Sequence, residues 1–184
     1  MKNPQTPAKK TPGVLVSFCR GEATDSEGRT LDEIQSWEFD RLEYTHDYIQ
    51  WLFPLKTRSG ANPGAPALDA AQIEAFRGDA KLKERLLKSF KLMLSFYGLQ
   101  CEEMAQGIHV TRSSDFRWRK RNWLNEYNHN YLRITRIIIS LRLLGLESHA
   151  RAFFECLDQI YAEEGDRIGE VTYGYWKRAA ENPL

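Results

Sequence analysis

The sequence is short of most features that announce a chemistry. It has three cysteines, Cys19, Cys101 and Cys156, far apart and odd in number, so it offers no disulfide framework and no metal knuckle. A reducing, cytoplasmic setting is expected. Its four histidines show no HExxH spacing, and there is no GxSxG elbow, no Walker lysine and no GxGxxG turn. No metal and no cofactor are therefore expected, and the residues argue against an enzyme without excluding one. No apolar run approaches the roughly 20 residues of a membrane span, and Val14 to Phe18 is too short for a signal-peptide core. Neither sign of charge dominates. The net charge is +1 over 184 residues, so global charge predicts no polyanionic partner.

What is present is aromatic bulk and helical periodicity. Five Trp and an aromatic share of 12% supply either a dense core or a pocket lining. The chain is long enough for one domain that buries about 70% of its unfolded surface. Charge is unevenly placed: eight basic residues between Thr111 and Arg142 face two acidic ones, and seven acidic residues from Glu147 to Glu170 face two basic ones. The halves can attract each other internally, or the basic one can stay open to an external anion.

Residues 1–13, with three prolines and three lysines, read as a flexible N-terminal tail, and 14–184 as one helical domain. Val14 to Phe18 reads as a strand or extended segment. Thr30 with Glu33 and Asp69 with Gln72 are capping-box patterns. Asp40 to Phe53 reads as one helix stopped by Pro54, with Tyr44, Tyr48 and Trp51 on an apolar stripe. Leu82, Leu86, Phe90, Met93 and Tyr97 give the clearest amphipathic helix, with Gly98 as its C-cap. Residues 100–114 are ambiguous, with Ile108 to Arg112 extended at most. A helix is expected from Asp115 to about Asn125. His129 to Leu144 is the most apolar helix, its stripe widened by Leu132 and Ile139. Helices about Ala150–Tyr161 and Val171–Ala180 complete an all-α, irregular single-domain bundle of about six to eight helices.

Two stretches, LEYTHDYIQWLFPL from Leu42 and HNYLRITRIIISLRLLGL from His129, resemble signature segments of the opioid growth factor receptor conserved region. GRTLDEI, ANPGAPAL and MLSFYGL, in order between them or before them, support the likeness, and the compact form resembles bacterial members. The resemblance implies a receptor-like, peptide-binding domain; with no catalytic motif among the residues, a non-catalytic ligand- or partner-binding domain is expected. Animal members are described as receptors for the peptide met-enkephalin.

Read on their own, the same two stretches carry polar rows on otherwise apolar helices. Glu43, His46 and Gln50 fall at i, i+3 and i+7, with Asp47 beside them. His129, Arg133, Arg136 and Ser140 fall at i, i+4, i+7 and i+11, with Asn130 beside them. Buried polar groups need partners. Either the rows pair internally, with Glu43 or Asp47 accepting from Arg133 or Arg136, or they line a cleft whose arginines grip a carboxylate or phosphate of a small ligand, peptide or protein. Glu43 and His46 as an acid–base pair of an unrecognised enzyme is a third reading.

A second candidate surface is Arg112, Arg117, Trp118, Arg119, Lys120 and Arg121, where basic residues interleave with aromatics as nucleic-acid contact requires. The plainer alternative is a surface helix with Phe116, Trp123 and Tyr127 packed inward; Trp118 lies off that stripe. In the loop GEATDSEGR, Asp25 and Arg29 are expected to tie the turn together.

Overall fold

A computed structural model describes residues 13–60 and 62–182; the tail expected over 1–13 lies outside these except for Gly13. Among the described residues the chain forms α1 (Val14–Arg20), α2 (Leu31–Gln35), α3 (Phe39–Tyr44), α4 (Ile49–Leu52), α5 (Ala70–Gly78) and α6 (Ala80–Tyr97). An antiparallel hairpin follows, β1 (Leu99–Met104) and β2 (Gly107–Arg112). Then come α7 (Phe116–Trp123), α8 (Asn130–Leu143), α9 (Glu147–Ile168) and α10 (Glu170–Glu181). The fold is mostly helical, with ten helices where six to eight were expected, and the hairpin corrects the all-α expectation. Its register pairs Cys101 with Val110 and Glu103 with Ile108. Alternating burial is weak in both strands, so their sequence carries little of the period-two signal of a half-buried strand.

Val14 to Phe18 is helical, not extended. Leu15, Val16, Phe18 and Cys19 are buried together, the Phe18 ring lying 5.1 Å from Trp51. A seven-residue helix gives too few positions for periodicity to separate it from a strand.

The core runs through α6, α8 and α9. Leu82, Leu86, Phe90, Met93 and Tyr97 of α6 are all buried, as are Ile134, Ile137, Ile138 and Leu141 of α8. Gly98 ends α6 with φ +77, and a β-carbon there would sit 2.7 Å from Phe116 Cα, so the turn that brings α7 onto α6 admits only glycine. Trp123 donates its indole N–H to Tyr97 O at 3.0 Å, and Trp176 of α10 donates to Tyr131 O at 3.1 Å, docking α10 on α8.

Both expected caps form, but only the second closes a full capping box. Thr30 accepts from Glu33 N, and Asp69 and Gln72 exchange both bonds of a capping box. Asp25 accepts from the amides of Glu27 and Arg29 and from Arg29 Nε, closing its loop as expected. The charge halves meet, with Arg112 bidentate to Glu163 and Lys120 paired with Glu164.

The single helix expected over Asp40–Phe53 is a correction. It breaks between Tyr44 and Ile49, where Thr45 is extended (φ −94, ψ 129). Tyr44 is therefore exposed instead of joining Tyr48 and Trp51 inside. Leu132, expected to widen the α8 stripe, is also exposed, and Ile139 is half-buried. The helix over 116–123 ends before Asn125.

Candidate ligand cleft

Breaking a helix exposes carbonyls that have lost their amide partners. Between Leu42 and Pro54 those carbonyls face α8, and the polar row of α8 meets them. Arg133, 5% exposed, donates to Leu42 O (3.0 Å), Glu43 O (3.3 Å) and Thr45 O (2.8 Å). Tyr48 Oη also donates to Leu42 O. Arg136 donates to Phe53 O at 3.2 Å, at the end of α4, and Ser140 to Pro54 O at 3.0 Å. Arg133 thus replaces hydrogen bonds given up at the break, while Arg136 and Ser140, one and two turns on, satisfy carbonyls just after α4.

The expected carboxylate partners are only partly engaged. Glu43 accepts from Asn130 Nδ2 at 3.1 Å, while Arg133 Nη1 stands 3.9 Å away. Asn130, wholly buried, holds Arg133 through its own oxygen at 3.1 Å, so it bridges the two charges. Asp47 turns away from α8 and pairs with Arg29 at 2.8 Å. Asp47 thus lies outside the cleft lining. Glu43 stands behind the lining, against Asn130 and His129.

The remaining face of the row is open. His46, Ile49, Gln50, Leu55, Arg58, Ser59, Gly60, His129, Leu132, Arg133, Thr135, Arg136 and Ile139 line a cleft of about 440 Å³. The His46 and His129 rings meet edge to face at 5.1 Å, and His129 Nε2 lies 3.5 Å from Glu43 Oε1. Burial, reinforced by Arg133, lowers His129 from its ordinary histidine value, which favours the neutral ring. Half-buried Arg136 has its charge disfavoured by desolvation. Its one bond is to a neutral carbonyl, and among the described residues no carboxylate pairs with it. Gln50 is 4% exposed, and among the described residues its Oε1 has no partner.

Arg58, Leu55 and Thr135 escaped the sequence reading. Arg58 sits in the Gly- and Pro-rich loop directly after the first signature stretch, and its position there was the available signal. The basic stretch is separate from the cleft. There, Arg112 and Lys120 are tied to α9, Phe116 and Trp123 are buried, and Trp118 is exposed. Tyr127, expected inward, is almost wholly exposed.

Residues 17–164 match the family model described as the opioid growth factor receptor (OGFr) conserved region. Among curated proteins, the opioid growth factor receptor of Mus musculus is 46% identical over 120 residues, 64% of this chain and 18% of the relative. That of Homo sapiens is 44% identical over 118 residues, 63% of this chain and 17% of the relative. The opioid growth factor receptor-like protein 1 of Xenopus tropicalis is 38% identical over 125 residues, 66% and 24%. The matched stretch is about a fifth of these relatives' length, and no solved structure matches the chain. The family model spans more than half of the chain, taking in both polar rows and the cleft they line: the chain belongs to the opioid growth factor receptor family.

Proposed function

We propose that the chain is a non-catalytic binding domain whose cleft takes part of a peptide. The observation that carries this is Arg136: a partly desolvated guanidinium at a cleft wall, bonded to one neutral carbonyl and, among the described residues, to no carboxylate. A ligand carboxylate offers what that group lacks, in a setting where a charge-assisted bond is stronger than in water. Arg58 lies on the same lining. Ile49, Leu55, Leu132 and Ile139 offer the apolar surface that a peptide side chain needs. The mouse and human relatives are named as receptors for opioid growth factor, which makes a peptide the ligand class to test first. Burial pushes Cys19 up to about 12 and Cys156 up to about 11, which argues against either thiol as a nucleophile. Three unpaired cysteines also support a reducing, cytoplasmic location.

The test is isothermal titration of met-enkephalin into the wild-type chain and into Arg136→Gln, which keeps a neutral donor for Phe53 O. Binding to the wild type is expected, with a roughly 10- to 150-fold loss in the variant, and an unchanged melting curve. No binding to the wild type overturns the peptide reading. Equal binding to the variant moves the site out of this cleft.

A further inference from the structure

The basic stretch carries a second surface, independent of the cleft. Helix α7 buries Phe116 and Trp123 and turns Trp118 outward, 60% exposed. The Arg117 and Arg121 guanidiniums stand over that indole, 5.6 and 5.0 Å from the ring centroid. Arg119 lies 3.8 Å over Phe39. None of these three arginines pairs with a carboxylate among the described residues, whereas Arg112 and Lys120 on the same stretch are taken by Glu163 and Glu164. The acidic half of the chain thus neutralises one side of α7 and leaves the other positive, with Asp115 and Glu126 at the two ends of the stretch.

The turn after α7 adds a second aromatic. Tyr127 has φ +58, the one non-glycine residue at positive φ among the described residues, and it is 97% exposed. A β-carbon is crowded in that conformation, and an exposed ring recovers nothing by packing. Asparagine or glycine would sit there with less strain. An aromatic ring held out in water at such a position leaves both its faces open to a partner outside the chain.

From this pairing of unneutralised guanidiniums with outward aromatic faces, we infer that α7 and the Tyr127 turn bind single-stranded nucleic acid. Phosphates meet Arg117 and Arg121, and unstacked bases lie on Trp118 and Tyr127. The carboxylates of an acidic peptide would satisfy the arginines but do not stack on the two exposed rings as bases do. A duplex would satisfy the arginines and hide its base faces.

The experiment is fluorescence anisotropy of a short fluorescein-labelled oligothymidylate, titrated with the full chain at several salt concentrations. The same duplexed sequence and polyglutamate serve as competitors. Salt-dependent binding is expected, with quenching of tryptophan emission. Trp118→Ala is expected to weaken it by roughly 5- to 150-fold, the range for one stacked base. Arg117→Ala with Arg121→Ala flattens the plot of log affinity against log salt by about 1.4, at about 0.7 per phosphate on a single strand. Tyr127→Gly relieves the backbone, so it is expected to bind less tightly while melting no lower than the wild type. That variant separates lost contact from lost fold. Three results overturn the inference: no binding at low salt, a duplex or polyglutamate that competes as well as the single strand, or a Trp118→Ala affinity equal to wild type. Met-enkephalin titration of the cleft is unaffected by any of them.

Discussion

Replacing Arg133 by methionine keeps the bulk of a long side chain and removes its donors. In the folded chain Arg133 satisfies three carbonyls and the Asn130 oxygen. Leu42 O keeps Tyr48 Oη as a partner, so the loss falls on Glu43 O and Thr45 O. Each orphaned carbonyl costs roughly 1–3 kcal/mol when water is excluded. Both residues are partly exposed, so solvent recovers some of that. Glu43 also loses its nearest cation while it stays bonded to Asn130. The expected destabilisation is about 3 kcal/mol, a large fraction of the roughly 5–15 kcal/mol that a domain holds in reserve. At this chain length that lowers the melting midpoint by about 8 °C. Arg133→Lys restores the charge without the planar fork and is expected to recover about half the loss. Urea unfolding followed by helical circular dichroism measures both variants, with an unchanged dependence on denaturant as the control for two-state behaviour. A loss below about 1 kcal/mol for Arg133→Met would show that the break between α3 and α4 holds without the side chains of α8.

Gly98→Ala should cost roughly 2–4 kcal/mol, since it combines left-handed strain with a 2.7 Å approach to the backbone of Phe116. Gly28→Ala, at φ +77 with nothing within 4 Å, isolates the strain alone at about 1 kcal/mol. Equal losses in the two would remove the close approach as a factor. Stability should also fall on acidification: burial holds both His129 and His149 below the ordinary value of 6.5, so the unfolded chain takes up those protons first. The contribution is complete above pH 6.5 and is lost as pH drops through and below it. Urea midpoints from pH 7.5 to pH 5 measure this. His149→Gln should make the acid limb shallower, and an unchanged limb would assign it to other groups.

Helices with long stripes were legible in the sequence. The α6 residues at helical spacing are all buried, and Gly98, Thr30 and Asp69 cap where their chemistry says they should. Short elements were not. The seven residues of α1 carry too few turns for a period, and the two strands of the hairpin expose most of both faces. The break after Tyr44 was hidden for a different reason. Nothing local forbids helix at Thr45–Asp47. The segment gains more from side-chain donors far along the chain than from its own amides, and no window of sequence contains both partners. That also explains the candidate site: the two polar rows were visible, but their partners were expected among carboxylates because main-chain carbonyls carry no signature.

The internal network and the open cleft, two alternatives in the sequence, occupy the same structure. Arginine is set against helix C-terminal carbonyls repeatedly in this chain. Arg133 takes those at the end of α3, Arg136 that of Phe53 after α4, Arg77 that of Leu143 in α8, and Arg142 those of Ala179 in α10 and Asn182 just after it. A carbonyl satisfies a guanidinium's hydrogen bonds and, through the helix dipole, offsets part of its charge. It does not neutralise that charge as a carboxylate would. Where Arg142 has Glu147 at 3.8 Å the charge is met nearby. At the cleft, Glu43 stands 3.9 Å from Arg133, and among the described residues no carboxylate pairs with Arg136. The break in the first signature helix therefore supplies the carbonyls that hold Arg133, and the end of α4 supplies the one that holds Arg136; carbonyls in place of carboxylates leave positive charge at the cleft wall.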